Sequence, residues 1–495
     1  MKKTRIHISK LAAVFFAAYC LSSCTKDEYL NPTPQTSLSD ATAFDTKDRI
    51  VNQVAGIYSA FKSGQLQGGR YLIYNDVRGE NFLSNDGNRV TARAAWEFSE
   101  TSGDNEVNNL WSSAYTTINR ANLFLDGMAA KGDAVAGTDA PRLNAEAKFV
   151  RAAAYYSLLQ FYARPYWDGN GTKPGLPLRL VGIKGGGFNN LARSTVDQVY
   201  TQILSDLDFA EQNLAATNGS AVLNVTHAHK NAAIALKVRV YLSMRNYPAV
   251  VTEANKIVSA NAPFTATSGV AHALQPDITT VFATGATTTE SILSMPFTTV
   301  DVPGTQNQLG FYYLPIITGN NANGAGGIFY LNPAGIWGDA NWGAADVRRT
   351  ALTTLNGGFQ WLTKYKNPGP FLDWAPVLRY SETLLSLAEA LARTTNSVDS
   401  RAVALLSAVR HRSDASVTYT TADFADATAL VNAILTERNI EFLGEGIRSI
   451  DILRLGLDFP AKSIPGFTVT AVAPSNPSYI WPTPSDESRF NALID

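Results

Sequence analysis

The sequence predicts a mainly α protein: a scaffold of paired helices carrying a loop-rich, irregular half with few short strands. Two tracts, 41–261 and 375–456, repeat apolar residues at helical spacing. The stretch 262–375 between them loses that spacing and fills with Gly, Asn, Thr and Pro, as in TGNNANGAGG and NPGPFLDW. Within the first tract, small and large residues alternate between neighbouring segments, so that one helix can receive another.

The elements follow in order. Residues 41–64 set Ile50, Val54, Ile57 and Phe61 on one stripe, with Gly64 as a stop. Residues 105–128 carry a wide apolar face from Val107 through Leu110, Trp111, Ala114, Tyr115 and Ile118 to Leu125. The Ala-rich segment 142–163 is apolar on much of its circumference and should be deeply buried. In 194–214, Ser194 followed by Asp197 has the spacing of a capping box. Segments 226–246 and 248–261 form the next pair, with Pro248 in a first turn. Across them Ala235, Tyr241, Tyr247, Val250, Ala254 and Ile257 alternate in size, a pattern similar to tetratricopeptide repeats. SILSMPF (291–297) reads as a short strand inside the irregular stretch. Helices return over 375–393, 399–414 and 427–456.

The N-terminus sets location. MKKTRIHISK is basic without acids, and LAAVFFAAYCL supplies eleven apolar residues. That is the layout of an export signal. Eleven helical residues rise only about 16 Å, too little for a hydrocarbon core of about 30 Å. The signal, residues 1–23, ends in Leu-Ser-Ser before Cys24, which is similar to a bacterial lipobox. Lipobox chemistry would acylate Cys24 and cleave before it, leaving 24–495 on a lipid (palmitate-type) anchor. Cys20 would leave with the signal, so the mature protein would hold no free thiol for a disulfide, a zinc site or a nucleophile.

Composition excludes some partners. Residues 1–23 hold Lys2, Lys3, Arg5 and Lys10 and no acid. The counts therefore fall from 41 basic and 42 acidic to 37 and 42, a net charge of −5. An acidic chain with 17% charged residues lacks the dense Lys/Arg footprint that nucleic acid requires. GGG at 185–187 and GNNANGAGG at 319–327 lack the following Lys-Ser/Thr of a phosphate loop. His227 and His229 do not share a helix face, and no HExxH occurs, so no metal or other cofactor is expected. Glu437, Glu441 and Glu445 fall at i, i+4 and i+8 near Arg438, Arg448 and Arg454, which favours a structural ion-pair network over acid–base chemistry.

Several stretches together resemble the SusD/RagB family of outer-membrane lipoproteins of the Bacteroidetes. They are Cys24 with Lys26-Asp27-Glu28, EAKFVRAAAYYSLLQFYARPYWD (146–168), TVDQVYTQILSDLDFAEQNL (195–214), VLRYSETLLSLAEALAR (377–393), ILTERNIEFLGEGIRSIDILRLG (434–456) and IWPTPSDE (480–487). The resemblance spans essentially the whole mature chain. It implies one SusD-like domain over 24–495, with tetratricopeptide-like helix pairs as scaffold and the loop-rich insert 262–375. It implies glycan capture at the outer face of the outer membrane and delivery to a SusC-like TonB-dependent transporter. Some relatives bind peptides, so peptide or another nutrient stays open as cargo. The Lys-plus-acid tag after Cys24 implies export to the outer leaflet.

A sugar ring offers apolar C–H faces to aromatic rings and hydroxyls to Asn, Asp and Arg. Trp337 and Trp342, in GIWGDANWG, have Gly and Asp flanks that favour exposure. Trp96 follows a polar stretch carrying Asp76, Arg78, Asn81 and Asn85, whose position resembles the family's glycan-contacting loop. Burial of Trp96 is the competing expectation. Of the adjacent Tyr312 and Tyr313, an extended segment would let only one stack. Trp111 and Trp167 are expected in the core. A glycoside hydrolase needs only two carboxylates roughly 5–10 Å apart, so an enzyme stays open as the alternative to a binding protein.

Overall fold

The computed structural model describes residues 42–186, 189–283, 285 and 287–494. The signal, Cys24 and the 26–28 tag lie outside the described residues. The helices that position the site are α1 (Lys47–Phe61), α2 (Arg70–Val77), α3 (Asn105–Gly127), α4 (Ala140–Tyr162), α5 (Val196–Asn213), α6 (Lys230–Ser243), α7 (Tyr247–Ala254), α8 (Tyr380–Thr395), α9 (Ser400–Ser413), α10 (Ala427–Glu441), α11 (Arg448–Leu455) and α12 (Ser485–Phe490). They stack serially: α1 on α3, α3 on α4, α4 on α5, α5 on α6, α6 on α7, α7 on α8 and α8 on α9. Each helix buries its apolar face against the next, which is how a repeat scaffold builds a continuous core.

Local chemistry explains the boundaries. Thr46 caps α1, its hydroxyl accepting from the Arg49 N–H, and Ile50, Val54, Ile57 and Phe61 are all buried as the stripe predicts. The capping box of α5 is one residue later than expected. Thr195 is the cap and Gln198 its partner, because their side chains bond each other's backbone N–H groups. Pro248 occupies the first turn of α7. The expected helix 427–456 is two helices. Gly444 and Gly446 turn the chain between α10 and α11 at φ of 83° and 72°. Gly446 also backs onto α2, where a Cβ would stand 2.7 Å from Leu72 Cα. Residues 375–379, expected as helix, are a strand.

The strands that matter here are β1 (Phe82–Ser84), β2 (Ser291–Met295), β3 (Phe329–Leu331), β4 (Thr353–Asn356), β5 (Phe359–Leu362) and β6 (Ala375–Arg379). All pair antiparallel, β1 with β3, β2 with β6, and β4 with β5. The β4–β5 hairpin closes through Gly357-Gly358, both at positive φ, as a two-residue turn matched to strand twist requires. The C-terminal IWP stretch returns to the scaffold: Trp481 N–H donates to the Phe161 carbonyl, and its ring packs 4.5 Å from Phe161 and 5.1 Å from Tyr74.

Bidentate arginine–carboxylate pairs join the helices. Arg151 holds Asp206 at 2.8 Å between α4 and α5, and Arg239 holds Glu382 at 2.5–2.7 Å between α6 and α8. Arg454 holds Glu389 at 2.7–2.8 Å between α11 and α8. A larger buried network ties the irregular half to α9 and α10. Glu437 contacts Arg348 and Arg410 at 2.6 Å. Glu441 contacts Arg412 at 2.6 Å, Arg348 at 2.8 Å and Arg379 at 2.9 Å. Glu445 contacts Arg379 at 2.6 Å and Lys364 at 2.7 Å. The three glutamates are therefore structural ion-pair partners, as the sequence favours.

Candidate functional site

Most of the residues expected to form the site are buried inside the protein and not displayed on its face. Asp76 lies in the last turn of α2, fully inside. Its Oδ2 accepts from the Gly446 N–H at 3.0 Å and the Tyr313 hydroxyl at 3.1 Å. Burial pushes its carboxyl up to about 8. Arg78 is buried, donating to the Tyr479 carbonyl at 2.8 Å, with its guanidinium 4.7 Å from the centre of the Phe459 ring. Asn81 is buried too. Its amide donates to Asn439 Oδ1 at 2.6 Å and its Oδ1 accepts from the Ile336 N–H at 3.1 Å.

The rings are corrected in the same direction. Trp96 is fully buried, its indole N–H donating to the Phe82 carbonyl at 2.9 Å, so the core expectation holds. Tyr312 and Tyr313 lie in a short helix, Leu309–Tyr313, and not in an extended segment. Both are buried: Tyr312 donates to the Gln306 carbonyl and stacks on Phe329, and Tyr313 reaches Asp76. Trp342 is buried, contrary to its flanks, because Trp337 packs edge-on over it at 5.6 Å. Trp111 is buried as expected, and Trp167 is half-buried. These placements remove the open ring face that stacking needs from Trp96, Tyr312, Tyr313 and Trp342.

Trp337 stands apart from this set. It is half-buried, and the Arg349 guanidinium lies 3.7 Å from its ring centre, which fixes the indole from one side. Asn81 braces the turn that carries it, through Ile336. Beside that turn runs a polar cleft of about 540 Å³ between residues 333–339 and α10–α11. Its wall holds an ion pair in which Arg448 Nη2 meets Glu80 at 2.6 Å. Burial alone would raise the Glu80 carboxyl, but the Arg448 charge and hydrogen bonds hold it below its ordinary value.

A second ring cluster was not anticipated. On the β4–β5 hairpin, Phe359 is 43% exposed and Leu355 71% exposed. Phe359 packs 4.3 Å from Tyr330 of β3, with Trp361 edge-on behind Tyr330 at 5.9 Å. Side-chain bonds to backbone carbonyls connect the two clusters: the Arg349 guanidinium donates to the Trp342 carbonyl, and the Thr353 hydroxyl of β4 donates to the Arg349 carbonyl. The signal was present in TTLNGGFQWL, where Gly-Gly interrupts an alternating pattern. Rigid rings with polar neighbours can take an apolar face and its hydroxyl rim without any bond being broken.

A helix-stack scaffold bearing an aromatic, loop-built lobe defines the class of fold, and comparison with known proteins names the family. A family model described as "Starch-binding associating with outer membrane" (SusD-like) matches residues 28–242, and the SusD family model matches 364–489. A crystal structure of a SusD superfamily protein from Bacteroides fragilis is 34% identical, with a TM-score of 0.79 over 91% of this chain and 99% of that one. The chain belongs to the SusD family.

SusD-like protein P2 of Formosa agariphila is 24% identical over 94% of this chain and 95% of its own length. The match to SusD-like protein P25 of the same organism, 23% identical over 51% of this chain, spans only 46% of that protein. The fold is also shared with surface glycan-binding protein A from Bacteroides thetaiotaomicron, solved in complex with laminarihexaose. That protein is 18% identical, with a TM-score of 0.71 over 90% of this chain and 97% of that one. The family is associated with the outer membrane. Among the described residues, no helix is long and apolar enough to cross a membrane.

Proposed function

We propose that the protein captures oligo- or polysaccharide at the cell surface and delivers it to a SusC-like TonB-dependent transporter, breaking no bond itself. The observation that carries this reading is the pair of supported rings in the loop-built lobe. Trp337 is held by Arg349, and Phe359 is held by Tyr330. Rings that are partly open yet braced by a packed neighbour lose less entropy on binding, which favours a stacking platform. Truncating a central aromatic contact typically costs about 2 kcal/mol or more, roughly thirtyfold in affinity. Trp337→Ala and Phe359→Ala are therefore expected to weaken binding of laminarihexaose or another hexasaccharide by that order in calorimetry, with the affinity read on the folded fraction because Trp337→Ala also uncovers Trp342 and lowers the melting temperature. Wild-type affinity in both variants would place the ligand elsewhere. Release of reducing ends during the titration would make the protein a hydrolase.

The anchor is part of the same reading. Residues 1–23 act as the export signal, and acylated Cys24 begins the mature SusD-like domain, 24–495, tethered to the outer membrane and facing outward. Each buried methylene adds about 0.8 kcal/mol of membrane affinity, so several acyl chains hold the protein durably. Labelled palmitate should enter the wild-type protein and not Cys24→Ala. Equal labelling of both would remove the lipid anchor from the reading.

A further inference from the structure

A cleft of about 890 Å³ opens on the helical scaffold, and none of the loop-lobe rings lines it. Its floor is the outer side of α3, with Trp111 and half-buried Tyr115 packed 4.9 Å apart. One wall is the chain around Arg179 and Ile183. The other is α12, which presents Phe490 at 72% exposure.

The walls are fixed by side chains that would otherwise be free. Glu487 of α12 accepts from the Trp111 indole at 3.2 Å, from Arg179 at 3.3 Å and from the Asn491 amide at 2.8 Å. Asn491 in turn pairs reciprocally with the Leu191 backbone at 2.9 and 2.8 Å. Asn119 does the same for Ile183 at 2.7 and 3.0 Å. The result is a pre-formed cleft with an aromatic floor, one exposed ring opposite, and a rim carrying Arg179 and Glu487 together. Its volume lies within the roughly 300–1,000 Å³ of small-ligand sites.

We propose that this cleft is a second saccharide subsite, which takes a short neutral oligosaccharide. The inference rests on the carbohydrate reading above and adds a place for the ligand that the loop lobe does not supply. Tyr115 and Phe490 can face the apolar sides of a sugar. The guanidinium and carboxylate of the rim can donate to and accept from its hydroxyls. A rim with both charge signs gives no net field to favour an anionic or a cationic sugar. A peptide held through its main chain needs an open sheet edge, whereas α3 and α12 offer side chains.

Labelling with 5-fluorotryptophan gives one ¹⁹F resonance per indole. Trp111→Phe and Trp337→Phe identify the two that matter. Laminarihexaose, maltohexaose and cellohexaose are titrated in turn. We expect at least one to shift the Trp111 resonance saturably, and Phe490→Ala to raise that apparent Kd about tenfold while leaving the Trp337 titration as in wild type. Thr116→Val, an exposed change on the α3 rim, should also raise it, and keeps the test intact if Phe490→Ala disturbs α12. A Trp337 shift without a Trp111 shift overturns the cleft and leaves the loop-lobe reading standing. No shift of either resonance removes both. A Trp111 shift indifferent to both rim variants is indirect and overturns the subsite. So does a shift caused by tryptone peptides when no sugar gives one.

Discussion

Trp96 and Trp337 show how little a residue's identity says about its exposure. Trp96 follows a polar stretch, yet Ala92 and Ala95 beside it are small and buried, and its N–H is satisfied inside by Phe82. Trp96→Ala is therefore expected to cost about 3–5 kcal/mol of stability and to leave the affinity of the folded fraction unchanged. Urea unfolding paired with calorimetry checks both halves. A stable variant that binds weakly would return Trp96 to the site. Glycine flanks around Trp337 and Trp342 report backbone freedom, not exposure; only the structure shows one indole capping the other. Asp76, Arg78 and Asn81 have the side chains of a sugar contact, but their partners, Gly446, Tyr479 and Asn439, are hundreds of residues away in sequence. No local pattern could have announced that those partners consume them. Phe359 was readable in principle, because its hairpin alternates around Gly-Gly.

Helices such as α1 and α3 were legible because each carries its own 3.6-residue period, and α4 was legible as an Ala-rich segment apolar on most sides. The failures are places where a tertiary partner decides. β6 is a strand because β2 pairs with it across the irregular half. The break between α10 and α11 was signalled by LGEG, but a continuous apolar pattern hid it. The glutamates of α10 and the turn after it were legible as ion-pair partners, but the expected arginines were the wrong ones: the glutamates meet Arg348, Arg379, Arg410 and Arg412, while Arg438 and Arg454 pair with Asp451 and Arg448 with Glu80. Glu441 is central, with one oxygen on Arg379 and Arg412 and the other on Arg348. Glu441→Gln leaves buried guanidinium charge uncompensated, so a loss of about 3–5 kcal/mol is expected. Urea denaturation measures it without the screening that guanidinium salts add. A loss below about 1 kcal/mol would mean that the remaining carboxylates absorb the charge.

Over the whole molecule, the buried acids fall into two groups with opposite responses to pH. Burial pushes Asp76 up to about 8 and Glu100, Glu106, Glu146 and Asp373 up to about 7. Burial also opposes ionisation of Glu389, Glu441 and Asp451. There, however, Arg454, Arg412 and Arg438 outweigh it and hold the carboxyls below their ordinary values. Unfolded Asp and Glu titrate near about 4. Between there and about 7–8, the first group binds more protons folded than unfolded, so stability falls as pH rises and levels off above the folded values. The second group binds more protons unfolded at low pH, so its contribution is lost on acidification below about 4. The two slopes meet, and the melting temperature is expected to peak near about pH 5, decline towards pH 8 and collapse in acid. Asp76→Asn isolates one contributor, because an amide oxygen can still accept from Gly446 and Tyr313 while carrying no charge. Its melting curve should lose part of the decline between pH 5 and 8 and keep the acid limb unchanged. A wild-type melting temperature that is flat from pH 5 to 8 would mean that these acids are already ionised in the folded protein at pH 5, as they would be if water reached them, and the assignment of the alkaline limb would fail.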